Sequence, residues 1–317
     1  MLFTQCILGS HAVNGVAELH SEIIKKDIFK AFYELFPEKF QNKTNGVTPR
    51  RWIGSCNPGL AALYTEALQS DEWLADLEKI AEAKKLAKDK EFQKKWAEVK
   101  RSNKKRLSGW IKRNLGITLN EDSLFDCMFK RIHEYKRQLL NALYIIYRYM
   151  KIKDTPVQER KKWVPRTILI GGKAFPGYMI AKKIVKLIGA ISDVVNNDKD
   201  IGDLMKVAFL PNYNVSLAEM IVPAAELSHH ISTAGYEASG TSNMKFTMNG
   251  CLIIGTMDGA NVEIAHEIGE ENMFIFGARS DEVEKARERV CLQIFNCVLI
   301  FLFSCLDEES HSRGILW

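Results

Sequence analysis

The first apolar run, Met1-Leu-Phe-Thr-Gln-Cys-Ile-Leu, is short and stops at Gly9-Ser10, which predicts a buried strand feeding a turn. Across residues 18–36, Ile23, Ile24, Ile28, Phe29, Phe32, Leu35 and Phe36 recur close to the helical period, and Pro37 closes the pattern. Residues 40–52 are polar and punctuated, with Asn45-Gly46 as a turn signal, so a loop is expected. Residues 71–114 have a helical pattern with acids and bases intermixed. They read as a solvated face, to which no chemistry is assigned.

From residue 123 the pattern changes to short apolar runs alternating with amphipathic stretches. Strands are expected at 123–129, 167–172, 205–210, 252–256 and 273–276, and helices at 134–150, 178–195 and 216–232, the last broken near Pro223. This alternation implies an α/β fold with a parallel sheet, flanking helices and crossover connections. Ligands in such sheets bind beyond the C-terminal ends of the strands, so the loops after Phe129, Ile170, Leu210 and Thr256 are the candidates. From Val290 to Leu306 the chain is apolar all round, near the lower limit for a membrane span, with Gln293 and Asn296 inside it. It reads as a divergent tail rather than a membrane segment.

Composition narrows the classes. A length of 317 residues permits about two domains, and 46% hydrophobic residues supply a core. The net charge of +5 is spread among interleaved acids, which argues against nucleic acid as a partner. Seven cysteines form no CxxC pair, the usage of a reduced intracellular compartment. The first residues lack the basic n-region of a secretory signal.

Chemistry concentrates in two places. In Gly235-Tyr-Glu-Ala-Ser-Gly-Thr-Ser-Asn-Met-Lys245, small and hydroxyl residues lead into a lysine just inside an expected helix. Free N–H groups of a first turn favour an anion and disfavour the ammonium form, leaving an amine able to form a Schiff base. Phosphate beside such a lysine suggests pyridoxal 5'-phosphate. The second place is Lys130-Arg-Ile-His-Glu-Tyr-Lys-Arg137, a basic cluster at a strand-to-helix junction suited to a phosphate or carboxylate. Gly171-Gly-Lys-Ala-Phe-Pro-Gly177 follows a strand but is not a dinucleotide fingerprint. His229-His230 is expected on a helix without a metal-ligand partner, and no metal is expected.

From Gly235 to Gly250 the chain closely resembles the cofactor segment of the α-glucan phosphorylases, the glycogen and starch phosphorylases. Thr241-Ser-Asn243 and Met248-Asn-Gly-Cys251 are most similar to the plant-type members, and the octapeptide ending at Arg137 matches its family counterpart in full. The resemblance runs from about residue 5 to residue 289. It implies one half of a two-domain GT-B glycosyltransferase fold: 1–45 a remnant of the first Rossmann-like domain and the junction, 46–289 the cofactor-binding domain, and 290–317 the divergent tail. It further implies that Lys245 is the Schiff-base lysine and that Thr241, Tyr213 and Lys130 lie at the cofactor. By the same resemblance Arg131 and Lys136 hold the substrate phosphate, while Glu237, Ser239, Gly240 and Asn45 contact the glucosyl unit. Asn214 stands where animal members often carry arginine, and His133 orients its neighbours.

The implied reaction is reversible phosphorolysis of terminal α-1,4-linked glucose by inorganic phosphate, yielding glucose 1-phosphate with retention. The implied partners are an α-glucan, phosphate and glucose 1-phosphate, with a homodimer in the full-length family and a cytoplasmic location, or a plastid one if a longer precursor exists. The alternative is a non-catalytic cofactor-binding or interaction fragment. Because most of the first domain is missing from the match, low turnover and a tendency to aggregate are expected of this chain.

Overall fold

Residues 2–288 are described by the computed structural model. The chain opens with helix α1 (Leu2–Gly9), strand β1 (Val13–Gly15), helices α2 (Glu18–Ile23) and α3 (Lys30–Leu35), and strand β2 (Phe40–Asn42). β1 and β2 pair in parallel. Helices α4 (Pro58–Leu68) and α5 (Lys90–Leu115) lead into the main sheet. There, β3 (Leu124–Phe129), β4 (Arg166–Gly171) and β5 (Met205–Leu210) alternate with α6 (Gln138–Asp154) and α7 (Met179–Asn197). The second half runs α8 (Val215–Ala224), β6 (Leu227–His230), α9 (Ser242–Met248), β7 (Leu252–Gly255), α10 (Ala260–Ile268), β8 (Phe274–Ile275) and α11 (Ser280–Glu288).

The six strands of the main sheet are all parallel, in the order β5-β4-β3-β6-β7-β8. Successive side chains leave a strand on opposite faces, so a sheet covered on both sides needs apolar residues at nearly every position. On one face Met128, Ile168 and Val207 pack with Leu140 and Ile145 of α6 and Ile184 and Ile188 of α7. On the other, Phe125, Cys127, Leu169 and Ala208 pack with Leu107 and Ile111 of α5, Leu217 and Ile221 of α8, and Trp52 and Phe246. Asp126 is a charged exception on the central strand β3. Its carboxylate meets His229 at 2.6 Å and Arg166 at 3.3 Å. Burial opposes its charge, but the facing His229 and Arg166 side chains outweigh that and hold it below the usual carboxylate range.

Several expectations are corrected. The opening apolar run is helix α1, not a strand; only Ile7 among its described apolar side chains is buried, and Lys39 caps its last carbonyls, at Ile7 and Leu8, at 3.2 and 3.1 Å. A short apolar run is consistent with either element, and tertiary capping decides. The helix expected at 18–36 is α2 and α3 joined by a wide turn at Ile24–Ile28. The expected 40–52 loop begins with β2 and ends in a helical turn starting at Arg50. The helix expected at 216–232 stops at Ala224, and His229-His230 lies on strand β6. The face of α5 is not wholly solvated: Lys100, Asn103 and Lys104 are buried. The Val290–Leu306 tail lies outside the described residues.

Candidate cofactor and phosphate site

β3 and β6 are neighbours where the strand order reverses, the point at which sheets of this kind open a ligand crevice. The segments that follow them, 130–137 and 231–245, are tied across it. Thr233 donates its N–H to the Tyr135 carbonyl at 2.8 Å. Arg137 donates from Nε to the Ile231 carbonyl at 2.6 Å and from Nη2 to the Ser232 carbonyl at 3.2 Å. Those bonds hold Arg137 at φ +61°, unusual for a residue with a side chain, between the 3-10 turn Glu134–Lys136 and α6. Lys136 Nζ pairs with the Glu237 carboxylate.

Burial shapes the charges here. It opposes the Lys136 ammonium, but the bond to Glu237 outweighs it and raises the amine above its ordinary value. Lys130 is pushed down to about 8 by burial, with the Lys136 charge adding to the effect. Arg131 is exposed. The Gly172 backbone passes so close to Lys130 that a Cβ there would lie 1.8 Å from the Lys130 carbonyl oxygen. His133 sits between the rings of Tyr135 and Tyr178, at 4.6 and 5.0 Å between centroids.

Lys245 lies in α9, half-buried, with its amine 4.3 Å from the centre of the Trp52 ring. Burial lowers its pKa, and the helix end is not needed to explain the shift. Thr241 precedes α9 without using its hydroxyl to cap it, and Ser239 is buried beside Gly240. α9 is locked at both ends by buried amides. Asn243 donates to Asn261 at 2.9 Å, and Asn261 donates to the His230 and Thr256 carbonyls. At the other end Asn249 donates to the Trp52 and Lys245 carbonyls at 2.6 and 3.0 Å, and Lys100 Nζ donates to the Asn249 carbonyl at 2.9 Å. Burial pushes the Lys100 amine down to about 8.

Tyr213 follows β5, its ring 5.3 Å from that of Phe129, and burial pushes its phenol up to about 12. Asn214 caps α8 by accepting from the Leu217 N–H at 3.0 Å. Asn45 is exposed; its N–H donates to the Val16 carbonyl at 3.0 Å, and its neighbour Thr44 reaches Glu263 on α10. Sequence reasoning missed the loop after β6 as a strand-end loop because β6 was expected to be helix; it named the loop after Thr256 but not Asp258 or Asn261 within it, nor Trp52 and Asn249. The pair Asp258-Gly259 carries only a turn signal, and lone Trp and Asn residues carry none.

The described residues define an α/β protein whose 130–137 and 231–245 segments, one with a basic cluster and the other with a half-buried lysine, follow neighbouring strands at the switch point. A family model described as carbohydrate phosphorylase matches residues 2–297, and the chain belongs to that family. It is 60% identical over 282 residues to glycogen phosphorylase 2 of Dictyostelium discoideum, covering 89% of this chain and 28% of that protein. It is 55% identical over 283 residues to the cytosolic alpha-glucan phosphorylase 2 of Arabidopsis thaliana, covering 89% of this chain and 34% of the relative. To the chloroplastic/amyloplastic alpha-1,4 glucan phosphorylase L isozyme of Vicia faba it is 57% identical over 284 residues, 89% of this chain and 28% of the other. The chain thus spans about a third of the length of these relatives.

Proposed function

We propose that this chain forms the cofactor- and phosphate-holding part of an α-glucan phosphorylase, with residues 46–289 as the cofactor-binding domain. The reaction is cleavage of a terminal α-1,4-linked glucose of starch, glycogen or maltodextrin by inorganic phosphate to give glucose 1-phosphate. The observation that carries it is the convergence of the 130–137 and 231–245 segments at the switch point, joined by Lys136 and Glu237. The free thiols of Cys6, Cys56, Cys127 and Cys251 support a cytoplasmic location.

The residues fit pyridoxal 5'-phosphate. A half-buried amine stacked on an indole, with its charged form disfavoured, suits capture of an aldehyde. Lys245 would hold the cofactor covalently, with Thr241, Tyr213 and Lys130 around it. When bound, the group supplies a phosphate next to the substrate phosphate. Lys136 stays protonated at neutral pH and, with Arg131, offsets the charge of the substrate phosphate. Lys130 Nζ, held near 8, exchanges a proton within the working pH range. Glu237, Ser239, Gly240 and Asn45 orient the glucosyl unit through its hydroxyls.

The test is incubation with pyridoxal 5'-phosphate, borohydride reduction and peptide mapping. A pyridoxyl label is expected on Lys245 and lost in Lys245→Ala. Label confined to other lysines, or unchanged in that variant, refutes the assignment.

A further inference from the structure

Asp258 belongs to none of the motifs that point to the site. It follows β7 and is buried, and its carboxylate gathers five donors. Oδ1 accepts from the N–H groups of Gly235 at 3.0 Å and Gly259 at 2.9 Å, and pairs with His20 Nε2 at 3.3 Å. Oδ2 accepts from the Ser232 hydroxyl and the Glu237 N–H, both at 2.9 Å. Burial works against the ionised carboxylate, but the bonds from His20, the two loop amides and Ser232 outweigh it and hold the group below the usual carboxylate range.

The next two residues press on the same loop. Ala260 donates its N–H to the Ser239 carbonyl at 2.7 Å. Gly259 has φ +50°, and a Cβ there would lie 2.4 and 2.6 Å from the carbonyl oxygens of Ser239 and Glu237. Residues 232–240 form neither helix nor strand, so their backbone is fixed from outside. A segment of Gly, Ser, Thr and Ala left to itself keeps much conformational freedom, and small displacements of a ligand-contacting group are costly to binding.

We infer that Asp258 is a positioning residue of the sugar-phosphate site: by fixing Ser232, Gly235 and Glu237 it sets the Glu237 carboxylate opposite Lys136 and so controls affinity for a hexose 1-phosphate. The inference rests on the reading above, in which Glu237 faces the glucosyl unit and Lys136 the phosphate. Asp258→Asn keeps the shape but turns an N–H2 group toward donors, leaving some of them unpaired.

The test uses the 317-residue chain loaded with pyridoxal phosphate. Glucose 1-phosphate binding is measured by calorimetry in wild type, Asp258→Asn, Glu237→Gln and the double variant, and exchange of the Gly235 and Glu237 amides is followed by NMR. Those two amides should exchange at least about tenfold faster in Asp258→Asn while the β3 and β4 amides hold. Each single variant should weaken glucose 1-phosphate about tenfold, and the double variant no further, because both act through one carboxylate. Multiplying losses, near 100-fold by the same additivity rule, would mean that Asp258 acts independently of Glu237 and would overturn the inference. Unchanged amide exchange would overturn it as well. If wild type does not bind glucose 1-phosphate, the phosphorylase reading fails, and the amides still decide whether Asp258 fixes the loop. If Asp258→Asn does not fold, Ser232→Ala, which removes one donor to the carboxylate and leaves Asp258 in place, must give both effects for the inference to stand.

Discussion

Lys136 and Arg131 come from one octapeptide but sit in different media. Lys136 is paired and partly buried; Arg131 is exposed. An exposed guanidinium loses much of its pull to solvent and salt, and regains it when a substrate shields both charges. In a full-length enzyme carrying this half, Arg131→Ala should lower kcat/KM for phosphorolysis roughly 10²-fold, the usual loss for one transition-state donor. Near-wild-type glucose 1-phosphate formation would remove Arg131 from the site. Lys245 offers a second check. Only its neutral amine attacks an aldehyde, and burial lowers its pKa below the ordinary 10.5. Its labelling rate with pyridoxal phosphate should therefore rise with pH about a midpoint below that value, as read from borohydride-trapped peptide at each pH. A midpoint at or above it would contradict the desolvated setting. These residues were legible in the sequence because small residues, a basic cluster and lysine occur in long specific strings. Asp258 was not legible, because five donors from three chain segments meet it only after folding.

At the scale of elements, β3, β4, β5 and β7 announce themselves as short, mostly apolar runs. β6 does not: Leu-Ser-His-His has neither the apolar run nor the alternation of a strand, and it continues a helical pattern from α8. Neighbours supply what it lacks, since β3 and β7 pair with it and Asp126 and Ser228 each meet one of its two histidines. The cost falls on pH tolerance. Burial, helped by the charge of Lys130, holds His230 well below 6.5, so it stays neutral in the fold. The unfolded chain takes up that proton near pH 6.5. Stability should therefore fall as pH drops below about 6.5, by roughly 1.4 kcal/mol per pH unit for one proton. Denaturant titrations between about pH 7.5 and 5 should show this slope, and His230→Gln should flatten it. Asp258, with a lowered pKa, adds its own loss only in the more acidic carboxylate range. The buried lysines of α5 were hidden for a similar reason: their spacing is helical, but their charge reads as solvent-facing until the carbonyls of Asn249, Ala225 and Ser123 are in place.

For the whole molecule, Arg131 and Asn45, the two residues that the proposed reading sets at the substrate, are both exposed to water. Preorganised electrostatics act strongly only where water is excluded. The purified 317-residue chain should release glucose 1-phosphate from a soluble glucan far below the median enzyme turnover of about 10 s⁻¹. A rate within tenfold of that figure would mean that these residues alone enclose the substrate. Exposed Phe3, Leu8, Ile28 and Leu35 in the first segment also favour self-association.

The pairing of β3 with β6 has a consequence in time. Lys136 and Glu237 are 101 residues apart, and no local turn can bring them together. They meet only after β4, β5 and two crossover helices have been laid down on one side and the chain has returned to the other edge of β3. Closing so long a loop is slow relative to forming helices. During synthesis and refolding, the helices and the β3–β5 half can therefore form first, and the lysine and carboxylate come into register last. Competence to take a ligand marks the end of folding, so a chain arrested earlier has most of its secondary structure and none of its binding.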